Sequence, residues 1–140
     1  MAIDLNLIRQ AAAVPIRNGR LCLVTSSSGK RWVVPKGCFE PGKSACEIAL
    51  QEAWEEAGLT GILQRNPVGS YIYEKLGCTH HVLVFMMQVT QSAEVWPEDA
   101  LRQRSWLSPG QALERIDDPG LRAVIRSALR SLKRESWAAR

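Results

Sequence analysis

The sequence predicts an α/β protein: a mixed β-sheet sandwiched between helices, in an α/β/α arrangement. Three observations lead there. Apolar, β-rich runs lie on both sides of one helix signature, Ser44 to Leu59. The longest run, His80–Thr90 (HHVLVFMMQVT), is rich in Val and Phe and reads as a central strand. Near the C-terminus, Leu121, Val124, Ile125, Ala128, Leu129 and Leu132 form an amphipathic stripe at helical spacing. The chain has 140 residues and is 46% apolar, which suits a single globular domain, 1–140, with a real core.

Each element has a local cause. Ala11–Ile16 and Leu21–Thr25 are apolar runs joined by Arg17-Asn18-Gly19-Arg20, a strong hairpin signal. Arg17 and Arg20 flank the turn as edge charges, and Arg17 is a candidate contact to an anionic substrate. Thr25–Arg31 is a polar loop. Trp32–Val34 is a short strand ended by Pro35, and Gly37–Lys43 is a loop built on Glu40, Pro41 and Gly42. Beyond the helix, Thr60–Pro67 reads as a connector. Val68–Glu74 reads as a strand with Tyr71 and Tyr73 on one side, and Lys75–Thr79 as a loop. Lys75, His80 and His81 either border the substrate or are plain rim residues. Adjacent histidines point to opposite faces of a strand and so do not share a metal. Gln91–Arg104 is a polar loop leading into the strand Arg104–Leu107. Gln111–Ile116 is a short helix, Asp117-Asp118-Pro119-Gly120 breaks it, and a last helix covers about 119–135. Arg122, Arg126, Arg130, Lys133 and Arg134 fall on its other side, as a solvated basic face or a docking surface for nucleic acid or an acidic protein. Ser136–Arg140 fray.

The central helix carries the chemistry. Ser44 and Glu47 fit a capping box, and Gly58 stands where a left-handed C-terminal cap belongs. At 100° per residue, Cys46, Ala49, Leu50, Ala53, Trp54 and Ala57 form an apolar side. Glu52, Glu55 and Glu56 cluster on another. Like charges at this spacing cost about 0.2–0.5 kcal/mol a pair, and acids near a helix C-terminus oppose its dipole by about 0.3–1 kcal/mol each. No Lys or Arg lies within Ser44–Leu59 to offset them. Such a trio is either a screened, solvated face or a site for a hard divalent cation.

The stretch WVVPKGCFEPGKSACEIALQEAWEEAGLTG, Trp32 to Gly61, resembles a Nudix box, G-x5-E-x7-R-E-U-x-E-E-x-G-U with U apolar. Gly37, Glu52, Ala53, Glu55, Glu56, Gly58 and Leu59 fit the pattern across the segment 37–59; Lys43 replaces a Glu and Gln51 an Arg. The resemblance implies a Nudix fold and hydrolysis of a diphosphate linked to another group. It also implies a divalent cation, Mg²⁺ or Mn²⁺, held by Glu52, Glu55 and Glu56 with a carbonyl near Gly37. One glutamate takes the proton of the attacking water; Glu56 is preferred, with Glu55 the other candidate. In the family the missing Glu and Arg support each other and orient the metal carboxylates. Their joint replacement is read as a lost supporting pair, with slow but real turnover expected.

Trp-x-x-Pro-Lys-Gly at Trp32–Gly37, and the loop Trp96-Pro97-Glu98 before Arg104-Ser105-Trp106-Leu107, are similar to the diphosphoinositol polyphosphate phosphohydrolases and their bacterial relatives. Ser27 stands where many of those relatives carry Arg. By this resemblance Lys36, Lys75, Arg102 and Arg104 are candidate phosphate contacts and Glu98 a possible additional acid. Trp32, Trp96 and Trp106 are read as packing. Inositol pyrophosphates and dinucleoside polyphosphates remain equally open as substrates.

No apolar run approaches the ~20 residues of a membrane span. The N-terminal stretch, with Asp4 and no basic start, is a poor signal peptide. Cys22, Cys38, Cys46 and Cys78 show no zinc spacing, which points to thiols in the cytoplasm. The net charge of +4 suits anionic partners, including phosphates and nucleic acid. Two rival functions follow: a Nudix-fold nucleotide-binding or regulatory protein without hydrolysis, and an RNA-directed phosphohydrolase or RNA-binding module. Oligomeric state is not readable.

Overall fold

Two long strands, β1 (Leu7–Arg17) and β7 (Cys78–Ser92), run parallel through the centre of the sheet, paired from Leu7↔Thr79 to Ile16↔Gln88. The computed structural model describes residues 6–135, with side chains as far as Leu132. Asp4, the fraying of Ser136–Arg140, and the side chains of Lys133 and Arg134 lie outside the described residues.

The other strands are β2 (Arg20–Thr25), β3 (Trp32–Val33), β4 (Lys36–Cys38), β5 (Leu59–Leu63), β6 (Gly69–Lys75) and β8 (Arg104–Leu107). The path runs β3-β2-β1-β7-β5, with β4 on β1, β6 on β7 and β8 on β2. One face is covered by α1 (Ala45–Ala57), the other by α2 (Pro109–Arg115) and α3 (Pro119–Glu135). This is the mixed α/β/α sandwich the sequence predicts.

Period-2 alternation divides the strands between two cores. Ala12, Val14 and Ile16 of β1, with Val82, Val84 and Met86 of β7, face Ile116 below α2 and Leu121, Ile125 and Leu132 of α3. Ala11 and Ala13, with Phe85, Met87 and Val89, face Ile48, Ala49, Ala53 and Ala57 of α1. The small side chains let helix and strand approach closely. The stripe on α3 is buried or half-buried as its spacing predicts.

Two connectors turn out to be strands. Thr60–Pro67 contains most of β5, whose LTGIL hides its period behind a bulge between Thr60 and Gly61. A Cβ on Gly61 would stand 2.1 Å from the Gln88 carbonyl oxygen, so the crossing requires glycine. The start of the Gly37–Lys43 loop is likewise strand: β4 pairs Gln10↔Cys38, Ala11↔Gly37 and Ala12↔Lys36. The Lys75–Thr79 loop shrinks to a two-residue turn, because Lys75 pairs with Cys78. The hairpin at Asn18-Gly19 forms with Arg17 opposite Arg20.

The largest departure concerns the face of α1. Its capping box and left-handed Gly58 cap are present. However, Trp54 is 39% exposed and Ile48 is fully buried. The buried side is turned by a little under one residue step (~100°) from the one predicted, toward Glu52 and Glu56. The cause is tertiary: Ala49, Ala53 and Ala57 seat on Ala11 and Ala13, and the bulky Trp54 is left at the edge.

Candidate active site

That rotation makes the site. Glu56 is only 6% exposed and Glu52 is half-buried, so two of the three acids lie against the fold instead of in solvent. β4 brings Gly37 directly against them: a Cβ there would be 2.5 Å from the Glu52 carboxyl carbon. Only a bare backbone fits beside that carboxylate.

The two acids act on each other, and the cations that act on Glu56, Arg102 and Lys36, do not offset the charge of Glu52. Burial, then the hydrogen bond and charge of Glu56, then Glu55, raise the Glu52 carboxyl to about 8. Burial also raises Glu56, against the pull of Arg102. Glu55 is half-exposed beside Glu52. Among the described residues no three acid, histidine or cysteine side chains are already arranged about one point as cation ligands. What is preformed is the pair, with the third acid adjacent. A divalent cation fits this donor set, which offers oxygen ligands only and two acids whose repulsion the ion would relieve.

Glu56 opens into a cleft with Gln10, Ser26, Ser28, Val33 and Tyr73, and the charges added there are cations: Arg31, Lys36, Lys75 and Arg102. Burial pulls the Lys36 ammonium below its usual range; Glu56 acts the other way, while Lys75, Arg102 and Arg31 add to the lowering. Such a set of mutually repelling cations is stabilised by an anion. Lys36 also lies over the Tyr73 ring, 5.4 Å from its centroid, and the Tyr73 hydroxyl donates to Gln10 Oε1 at 2.7 Å.

Arg102 ties the cleft to the rest of the fold. It donates to the Thr25 carbonyl at 2.9 Å and to Glu98 Oε1 at 2.8 Å, and lies 3.7 Å from Glu56 Oε2. Glu98 is therefore held by Arg102 at the edge of the acid pair, and its own N–H donates to the Glu55 carbonyl at 3.0 Å.

Other sequence candidates are used elsewhere. Arg104 donates to the carbonyls of Ala57 (2.7 Å) and Ala93 (2.5 Å) and stacks on Trp96, whose indole N–H donates to the Glu56 carbonyl. It is not a phosphate contact in this geometry; it caps the C-terminus of α1. The positive charge absent from α1 thus arrives from β8, distant in the chain. Arg17 is exposed in a separate shallow groove beside Trp54 and Thr90, because the hairpin turn carries it away from the acids. His80 is buried and stacked on Tyr73 at 4.5 Å, so it packs and does not line a rim, while His81 is half-buried. Trp96, Trp106 and Trp32 pack as read. On α3, Arg122 donates to the carbonyls of Leu113 and Ile116, which removes it from the basic face and leaves Arg126 and Arg130 exposed. Arg31 is a cleft cation that sequence reasoning missed, as it missed Gln10 and Tyr73. Only its place at the end of the serine loop, beside Trp32, pointed to it.

A NUDIX domain model matches residues 7–128. The chain belongs to the NUDIX family. It is 36% identical over 107 residues to Nudix hydrolase 21, chloroplastic, of Arabidopsis thaliana, covering 75% of this chain and 54% of that protein. Diphosphoinositol polyphosphate phosphohydrolase 3-alpha of Mus musculus is 33% identical over 113 residues, covering 76% of this chain and 67% of that protein. The chain spans about half the length of the first two Arabidopsis relatives, 54% and 46%. A NUDIX-type sheet is evident in solved structures: an Ap4A hydrolase binary complex from C. elegans (TM-score 0.77, 20% identity, 90% of this chain and 98% of that one) and a NUDIX hydrolase from Nitrosomonas europaea (TM-score 0.75, 20% identity, 89% of each). Among the described residues no helix is long and apolar enough to cross a membrane.

Proposed function

We propose that this NUDIX protein hydrolyses a phosphoanhydride bond in a small-molecule diphosphate, in a reaction that depends on a divalent cation. The observation that carries the reading is an acid pair, buried Glu56 and half-buried Glu52, at the edge of a cleft whose further charges, Arg31, Lys36, Lys75 and Arg102, are all positive.

Glu52, Glu55 and Glu56, with backbone near Gly37, would hold Mg²⁺ or Mn²⁺. When bound, such an ion neutralises charge on phosphate oxygens and makes water more acidic. The chain supplies the rest. Lys36, Lys75 and Arg102 clamp the phosphate oxygens, joined by Arg31. Glu56, the acid that lines the cleft, accepts the proton of the attacking water. A new O–P bond forms, the bridging P–O bond breaks, and its electron pair leaves with the departing phosphate. Glu55 is the other candidate base, and Glu98 steadies Arg102.

The substrate classes this supports are nucleoside diphosphates linked to another group, dinucleoside polyphosphates and diphosphoinositol polyphosphates; the Mus musculus relative named for the last is in keeping with it. Free thiols at Cys22, Cys38, Cys46 and Cys78 favour action in the cytoplasm. Phosphate release from a panel of these diphosphates, with and without Mg²⁺, tests the reading. Metal-dependent release that is lost in Glu56→Gln is expected. Binding of the panel without release would instead make this a NUDIX-fold binding protein.

A further inference from the structure

Glu55 and Glu56 sit on the last turn of α1, the least secure place on a helix. Carbonyls there lack intrahelical donors, and unsupported ends fray. Gly58 returns its own N–H to the Trp54 carbonyl at 2.9 Å. The carbonyls that follow take their donors from one stretch of chain, residues 93–104. Glu98 N–H donates to Glu55 at 3.0 Å, and Ala93 N–H to Gly58 at 2.8 Å. Between them, the Trp96 indole N–H donates to Glu56 at 3.0 Å and Arg104 to Ala57 at 2.7 Å. Carbonyl by carbonyl, this stretch is laid along the helix end.

These donors are not equivalent. Two are backbone groups, which any residue but proline supplies. Arg104 brings charge. Trp96 is the residue whose side chain reaches the carbonyl of Glu56 itself. Its ring is fixed from several directions. A Cβ on Gly58 would stand 2.9 Å from the Trp96 Cβ and Cγ, and Arg104 lies over the ring at 4.2 Å. The Trp96 N–H donates to Asp99 Oδ2 at 3.0 Å, and its carbonyl accepts from the Asp99 N–H at 3.2 Å. The same stretch carries Glu98 and Arg102, paired at 2.8 Å at the edge of the cleft. Trp96 therefore joins the turn that bears the acids to the segment that bears a phosphate-clamp cation.

We propose that Trp96 is a positioning residue. Its indole N–H fixes the last turn of α1 against residues 93–104, so that Glu55 and Glu56 keep their places relative to Arg102 for the cation and the attacking water. Groups in such a constellation must hold to within about 0.5 Å, which a fraying turn does not allow. This rests on the hydrolase reading for the reaction, but its effect on ion uptake needs no turnover.

Trp96→Phe keeps an aromatic ring beside Gly58 and removes the N–H. For the diphosphate that the wild-type protein cleaves fastest, kcat is expected to fall about tenfold, as for groups that orient metal ligands. KM should stay within about twofold, because the phosphate cations are untouched. Mn²⁺ binding, measured by calorimetry without substrate, should weaken about tenfold as well. Leu129→Ala is the control for lost stability, since Leu129 packs on the opposite face of the sheet from α1. Assayed well below its Tm, it should keep wild-type kcat and Mn²⁺ affinity even where its Tm falls as far as that of Trp96→Phe. Wild-type kcat and Mn²⁺ affinity in Trp96→Phe, or equal losses in Leu129→Ala, overturn the proposal and leave the hydrolase reading standing. A raised KM at unchanged kcat does the same. Weakened Mn²⁺ binding in Trp96→Phe, in a protein that cleaves no diphosphate, supports the proposal and removes the hydrolase reading. No Mn²⁺ uptake by the wild-type protein overturns both.

Discussion

Lys43 Nζ donates a hydrogen bond to Gln51 Oε1 at 2.5 Å. The same Gln51 amide turns its N–H groups toward Glu40 Oε2 at 3.4 Å and Glu52 Oε2 at 3.5 Å, and Lys43 lies 3.7 Å from Glu40. The two departures from the Nudix box are therefore partners. The expected loss of a supporting pair is corrected to a replacement: the donor now stands on the loop and the acceptor on the helix. Because Lys43 takes the amide oxygen, the amide nitrogen is left to face Glu52.

From this comes the first prediction. Gln51→Leu removes all three of these bonds, and Lys43→Met releases the amide to flip. Each should lower kcat/KM and Mn²⁺ affinity by about tenfold, within the range for groups that orient metal ligands. The double variant should be no worse than either single one, since both break one chain of contacts. Lys43→Glu with Gln51→Arg should recover wild-type rates or better. Strictly additive losses would show that the two side chains act independently and would sink this account.

Gly37 offers a second test. A Cβ at this position would meet Glu52 at 2.5 Å, and only side-chain atoms of Glu52 are in the way. Gly37→Ala should thus fold with a nearly unchanged Tm while pushing the carboxylate aside. A displacement near 1 Å at a reacting centre costs roughly 10²-fold in rate. Full activity in this variant would mean that the position of Glu52 does not matter to the chemistry.

How much of this was legible in the chain differs from residue to residue. The caps of α1, the Asn18-Gly19 hairpin and the stripe on α3 follow from local chemistry, and all three form. The spacing of Glu52, Glu55 and Glu56 was equally plain. What a helical wheel cannot fix is which side faces the core, because Ala-rich packing on β1 decides it. Hence Trp54 was misplaced and the burial of Glu56 unforeseen. β5 escaped because its bulge breaks the period. Arg102 and Arg104, close in sequence, read alike. Only the fold separates a cation lining the cleft from one that caps a helix.

The acid pair makes a prediction about stability. The raised Glu52 and Glu56 carboxyls hold protons in the native state that the unfolded chain releases near its ordinary value of about 4.3. The native state thus binds more protons across that window. Stability is full below the unfolded pKa and falls as pH rises toward about 8, the value for Glu52. The Tm of metal-free protein should decline over this range more steeply than that of Glu52→Gln. Saturating Mg²⁺ should remove the difference, since the ion replaces the shared proton. Parallel Tm profiles for the two metal-free proteins would contradict the pairing.

Arg104 separates the structural role from the catalytic one. Its guanidinium satisfies the Ala57 and Ala93 carbonyls and stacks on Trp96 at 4.2 Å, so it places positive charge at the end of a helix whose last turn carries Glu55 and Glu56. Hydrogen bonds from a charged donor contribute about 1.5–3 kcal/mol each, and a cation at a helix C-terminus about 0.3–1 kcal/mol more. Arg104→Met keeps much of the stem packing and loses both. Its Tm should fall by several degrees, and its KM for the preferred diphosphate should stay within about twofold of wild type. Arg102→Met should behave the other way, with a raised KM, because that guanidinium lines the cleft. A large rise in KM for Arg104→Met at an unchanged Tm would return this arginine to the phosphate clamp.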